Sequence, residues 1–212
     1  NEDGTFTIGT SGATGTFEEI ESVSGTQYGD TLDASATNGG GQTLSGNGGD
    51  DTILGGLGAD ALYGGAGNDN LDDRAADTTV SGGAGDARIT PDNGTNVASP
   101  TTIDGGTGTD TYVLDGNQGT FTGNHHVNLG GNAVEFNAGG NDEIYNIENV
   151  EIINSDANVT GDAGDNVITG IGAGDNAFDG GAGNDTLIGG AGNDDLTGGA
   201  GDDSINGGTG ND

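Results

Sequence analysis

The chain has 212 residues, of which 49 are Gly, 29% are hydrophobic and 4% aromatic. That is too little apolar material for the three-dimensional core of an ordinary domain of this length. Against 35 Asp and Glu stand only Arg74, Arg88 and two His, for a formal charge of −33; such a field repels nucleic acid and anionic lipid, and opposes any compact state unless cations supply counter-charge.

There is no Cys, no Met and no apolar run near the roughly eighteen residues that span a bilayer. Thiol chemistry is excluded, export without disulfides is compatible, and no signal peptide with a charged start and apolar centre is visible at Asn1.

Residues 1–24 hold two β-like pieces, Gly4 to Ile8 and Phe17 to Val23. Phe17, Ile20 and Val23 are spaced by three, which suits a helical face, but the β-rich context favours a strand or a solenoid turn. Gly25 to Asp33, G-T-Q-Y-G-D-T-L-D, introduces a period of nine in degenerate form, with Asp30 at position six and Leu32 at position eight. After an insertion near Ala34 to Ala36 the phase holds from Gly46 to Ser99, with Asp51, Asp60 and Asp69 at position six and Ile53, Leu62 and Leu71 at position eight. The next turns replace the Asp by Thr78, Ala87 and Asn96 while Val80, Ile89 and Ala98 keep the apolar position, so the coil should continue with weaker cation sites. Pro91 and Pro100 fall in turns, where a missing N–H matters least. One more clear repeat starts at Gly105, with Asp110 at six and Tyr112 at eight.

Residues 114–160 break the period. Phe121, Val127, Leu129, Val134 and Phe136 alternate with polar residues, which predicts half-buried strands between Gly-Asn turns, and Ile144 to Ile153 reads as a longer apolar-rich strand region. His125 and His126 are strand neighbours facing opposite sides, so they cannot easily share a metal and read as polar strand residues. Gly4-Thr5-Phe6-Thr7 recurs as Gly119-Thr120-Phe121-Thr122, and Ile20-Glu21-Ser22-Val23 as Ile147-Glu148-Asn149-Val150, in the same order. From Gly161 the period returns with Asn166 at six, then, after one inserted residue, Asn176 at six and Phe178 at eight. It ends in G-G-A-G-N-D-T-L-I, G-G-A-G-N-D-D-L-T, G-G-A-G-D-D-S-I-N and G-G-T-G-N-D, with Asp185, Asp194, Asp203 and Asp212 at six. Starting without Met and stopping at a sixth position, the chain reads as a fragment or processed product.

The glycines at positions one, two and four allow a tight turn with inward carbonyls, and the aliphatic at eight sits in a short strand facing a core. If two nonapeptides make one coil, position-six residues eighteen apart stack on neighbouring strands about 4.8 Å apart, where two carboxylates repel unless a cation lies between them. An all-oxygen, multi-ligand, flexible shell selects calcium over zinc or copper.

The pattern resembles the calcium-binding nonapeptide of the RTX (repeats-in-toxin) family, which implies a parallel β-roll with calcium in the turns. The expected fold is therefore all-β, a right-handed parallel β-roll in two tandem modules: residues 1–115 a β-rich lead-in plus first roll, 116–160 a β-rich insert, and 161–212 a second roll. Several Ca²⁺ ions are expected at Asp30, Asp51, Asp60, Asp69, Asp110, Asn166, Asn176, Asp185, Asp194, Asp203 and Asp212. The strongest pairs should be Asp51 with Asp69, Asp185 with Asp203 and Asp194 with Asp212, while Asp60 faces Thr78.

No G-x-S-x-G, no H-E-x-x-H, no Cys and no Lys is present, and the paired acids that could suggest a glycosidase are explained by the repeat, so the chain reads as no enzyme. The Gly-rich turns lack the following helix and the Lys of a phosphate loop. The resemblance implies a calcium-dependent folding region, structural or adhesive, of a secreted bacterial protein, extracellular or at the cell surface, exported through a type I system. The alternatives are a surface-layer or filament subunit that self-associates head to tail, and an accessory module of a secreted enzyme or polysaccharide-binding protein.

Overall fold

The structure is a computed structural model that describes residues 3–8, 13–18, 21–35, 41–74, 78–91, 101–117, 125–131, 133–135 and 141–212. Among them there is no helix, hence none long and apolar enough to cross a membrane. The described residues wind as a β-solenoid of two sheets, each with 11 described strands.

Position eight decides the architecture. Its side chain points inward from a strand often only three residues long, and alternate nonapeptides feed alternate sheets. The first sheet stacks Leu32, Ile53, Leu71, Ile89, Tyr112, Val150, Ile168 and Leu187, and the second stacks Leu44, Leu62, Val80 and Ile103, then Val127, Val159 and Phe178 beyond the break in the period; all are buried. Two apolar rows meeting between the sheets form a core one side chain deep on each side, which a composition with so few hydrophobics can fill. Register is parallel and in phase, Ile53 opposite Leu71 and Leu187 opposite Ile205, because a slip of one residue would turn each aliphatic to solvent.

The turns need glycine for two different reasons. At Gly190 and Gly192 φ is +103° and +146°, a region L side chains rarely adopt. At position one the reason is space, taken up below.

Residues Asp3–Ile8 and Ala13–Glu18 form an antiparallel hairpin, with Gly4 opposite Phe17, that pairs with Thr31–Asp33 at the end of the first sheet. The strand reading of Phe17 holds; Ile20 lies outside the described residues, as do Asn96, Ala98, Pro100, Phe121 and Phe136. Val127, Val134 and Leu129 are buried as expected.

Ile144 to Ile153 is not one strand. Asn141–Tyr145 belongs to the second sheet and Asn149–Ile153 to the first, because Asn146, at φ +52°, turns the chain between them. Across residues 116–148 the two sheets differ. The first passes from Thr111–Asp115 straight to Asn149–Ile153 in parallel register. The second takes in His125–Asn128, Ala133–Glu135 and Asn141–Tyr145, with antiparallel pairings at Ala133–Glu135.

Arg74 and Arg88, the only Lys or Arg side chains, each meet an acid: Asp72 at 3.1 Å and Glu151 at 2.7 Å. Both pairs are solvent-accessible and contribute little stability, about 0–1 kcal/mol each.

Candidate metal centres

Each nonapeptide turn ends at position six, immediately before its strand, so sheet pairing one residue later stacks the position-six residues. Along the turns leading into the first sheet the backbone N–H of one such residue donates to the side chain of the next turn. Asp30 donates to Asp51 Oδ1 at 2.7 Å and Asp51 to Asp69 Oδ1 at 2.8 Å. Ala87 donates to Asp110 at 2.7 Å, Asn166 to Asp185 at 2.8 Å and Asp185 to Asp203 at 3.0 Å. Along the opposite edge Gln42 donates to Asp60 at 2.8 Å, Asn176 to Asp194 at 2.9 Å and Asp194 to Asp212 at 3.1 Å.

One carboxylate oxygen is consumed in this way; the fate of the other separates the sites. The second oxygens of Asp51, Asp69, Asp110, Asp185 and Asp194 are buried and accept no hydrogen bond. Each faces the position-one glycine of its own turn together with a main-chain carbonyl from the following turn. A methyl on Gly180 would lie 2.5 Å from Asp185 Oδ2 and 2.6 Å from the Gly198 carbonyl oxygen; Gly64 with Asp69 and Gly82, and Gly189 with Asp194 and Gly207, repeat the arrangement. Position one must therefore be glycine because a β-carbon would fill the space on which two oxygens converge.

Buried oxygens facing one another without a proton donor are unfavourable unless a cation joins them. Burial pushes the Asp51 and Asp110 carboxyls up to about 6, opposed by the backbone N–H each accepts and reinforced by neighbouring acids, among them Asp69 for Asp51 and Glu148 for Asp110; Asp69 is raised for the same leading reason. Among the described residues no three His, Cys, Asp or Glu side chains converge as a group able to hold a metal ion, so the oxygens meeting at each space are a carboxylate and a main-chain carbonyl. Carboxylate combined with main-chain carbonyl is hard-oxygen chemistry, and it fits calcium.

Other position-six residues satisfy the same space from within the chain. Asp30 Oδ2 accepts the Thr26 N–H at 2.5 Å and hydroxyl at 2.9 Å, and Asp60 Oδ2 accepts the Gly56 N–H at 2.8 Å. Asn176 turns its amide nitrogen toward the Gly174 and Gly189 carbonyls at 3.1 and 3.3 Å, a donor placed where a cation would otherwise be needed. Asn166 accepts the Asp162 N–H and donates to the Glu148 carbonyl. Asp203 and Asp212 are accessible, on the last two turns. Thr78 stacks beside Asp60, as its place in the repeat requires.

His125 is buried, which lowers its pKa, while His126 is exposed, so the two imidazoles do not face one site.

Sequence reasoning missed the position-five ladder. Asp50, Asn68 and Asp86 accept the N–H of Asn68, Asp86 and Thr109 in the following turn, at 2.8 to 2.9 Å. Asp175 and Asn193 do the same for Asn193 and Asn211. This ladder runs in the opposite sense to position six, is exposed, and needs only an acceptor, so Asp and Asn interchange. The recurring N-D and D-D doublets were its visible signal.

Residues 36–71, 154–187 and 179–212 match the family model described as RTX calcium-binding nonapeptide repeat (4 copies). No curated protein matches the chain. With these turns stacked along two sheets and their carboxylates and carbonyls converging on shared spaces, residues 36–71 and 154–212 are RTX calcium-binding nonapeptide repeats wound into a β-solenoid.

Proposed function

We propose that this chain is a calcium-dependent folding region, structural or adhesive, of a secreted bacterial protein, with no catalysis of its own. The observation that carries the reading is the set of buried, unpartnered oxygens on Asp51, Asp69, Asp110, Asp185 and Asp194, each facing a glycine and a carbonyl. Without a cation the folded state holds these carboxylates desolvated and close together, at several kcal/mol per buried ion. Calcium bound by those residues supplies the missing charge, and because the shell exists only when turns are stacked, its binding free energy is folding free energy.

The switch is set by concentration. Extracellular calcium modules bind at about 10⁻⁴ to 10⁻³ M, far above resting cytoplasmic levels. The chain would stay expanded in the producing cell, cross a type I exporter unfolded, and stack its turns outside. The match to a repeat family typical of secreted proteins supports that location, and the formal charge of −33 supports the expanded calcium-free state.

Far-UV circular dichroism and small-angle scattering in excess chelator and in millimolar calcium test this. The expected result is loss of β signal and expansion without calcium, both reversed on its addition. Monovalent salt should not substitute, since a Debye length of about 8 Å at physiological strength barely screens carboxylates held closer than that. Identical spectra and dimensions in the two conditions would overturn the proposal.

A further inference from the structure

The stack of position-six residues does not stop where the nonapeptides stop. In the first sheet Thr111 pairs with Asn149 and Tyr112 with Val150, which sets Glu148 beside Asp110; Asn149 then pairs with Val167, which sets Glu148 beside Asn166. Glu148 thus fills a position-six slot 38 residues after Asp110, in a segment that the family model does not match. Its carboxylate behaves as that slot requires: Oε2 accepts the Asp110 N–H at 2.8 Å, as Asp69 Oδ1 accepts that of Asp51.

The rest of the shell is rebuilt from different parts. Asp110 is fully buried and its Oδ2 has no hydrogen-bond partner. That oxygen lies 2.7 Å from where a β-carbon on Gly105 would be, and the Asn146 carbonyl oxygen faces the same point, in the place a position-one glycine carbonyl takes in an ordinary turn. Asn146 is held for this task, at φ +52° and with its side-chain amide donating to Asp104 Oδ1 at 2.7 Å. Three residues, Asn146-Ile147-Glu148, do what positions one to six do elsewhere. Asn146 and Glu148 also border a cavity of about 180 Å³, with Asp162 on its wall.

We propose that the calcium site of Asp110 is completed from outside the nonapeptides, by the Asn146 carbonyl and Glu148, so that one ion joins the Gly105 turn to the turn at Asn146–Glu148. This rests on the calcium reading above and adds a ligand, Glu148, of a different residue type and spacing. The ion would join Asp110, at the end of one run of repeats, to Glu148, in the unmatched segment that precedes the next.

Counting bound calcium by isothermal titration calorimetry on the full chain, for wild type, Glu148→Gln and Asp110→Asn, decides it. Both substitutions keep shape and a hydrogen-bond acceptor and remove one charge. The expected result is one ion fewer per chain, or one site weakened at least tenfold, in each variant, with the remaining sites unchanged. If wild type binds calcium and Glu148→Gln binds the same number with the same affinities, Glu148 is only the acceptor for the Asp110 N–H, and the joint site is wrong while the rolls stand. If wild type binds none, the calcium reading itself fails. Should Glu148→Gln not fold in calcium, Asp110→Asn gives the count, and an unchanged number there overturns the proposal equally.

Discussion

Along the edge that leads into the first sheet, the position-six slot holds Asp30, Asp51, Asp69, Ala87, Asp110, Glu148, Asn166, Asp185 and Asp203. Along the other edge it holds Glu21, Gln42, Asp60, Thr78 and Thr101, and beyond the break His125, Ala157, Asn176, Asp194 and Asp212. The first edge is acidic for most of its length; the second has long neutral stretches. Yet away from the break at residues 116–148 the inward rows above both edges are equally buried, Val80, Ile103 and Val159 as much as Leu71, Tyr112 and Ile168. Shape therefore needs only the turn glycines and the position-eight side chain, whereas position six decides where charge has to be neutralised. On the proposed reading, the coil and its dependence on cations are separable, and the acidic edge is where that dependence would concentrate.

The largest effect should ignore the difference between edges. Leu62 and Leu71 are both fully buried, one in each sheet, so Leu62→Ala and Leu71→Ala should each cost about 2–5 kcal/mol in urea unfolding at saturating calcium. A large inequality between them would show that the two sheets do not share one core.

A smaller effect should expose the difference. Asp69→Asn removes a buried charge on the acidic edge and should lower stability by about 2.7 kcal/mol at a calcium concentration a hundredfold above Kd, with no such loss relative to wild type in its absence. Thr78→Ala on the neutral edge should cost no more than the about 0.5–1.5 kcal/mol of a hydroxyl hydrogen bond, independent of calcium. Equal calcium dependence in the two variants, read from thermal denaturation, would erase the distinction.

The smallest and most diagnostic effect is on pH. Asp51 and Asp110 are raised by burial from an ordinary 3.8 to about 6, so between those values the folded state holds protons that the unfolded chain has released. Their protonation therefore stabilises the calcium-free fold fully below about pH 4, and that stability is lost as pH rises through about 6. Acidifying the calcium-free chain from pH 7 to 4 should restore part of the β signal, while calcium affinity falls over the same range because protons compete for the same oxygens. A calcium-free spectrum that does not change across this window would show that these carboxylates are not what keeps the chain unfolded.

The period of nine, the inward aliphatic, the glycine turns and the stacking of Asp185 over Asp203 were legible in the sequence because each is a local or strictly periodic property. Repetition converts a short spacing into a three-dimensional neighbour. What only the tertiary structure decided lies where periodicity fails. Glu148 stands 38 residues from Asp110 and takes its slot through strand pairing across an excursion of the other sheet, which no local spacing encodes. The turn at Asn146 splits what reads as one apolar strand, since the φ of a single Asn is not visible in a hydrophobic pattern. Whether a given carboxylate needs a cation was likewise decided in three dimensions. Asp60 and Asp69 occupy position six of consecutive repeats, but Gly56 donates its N–H to the second oxygen of Asp60, whereas that of Asp69 is left with oxygens around it.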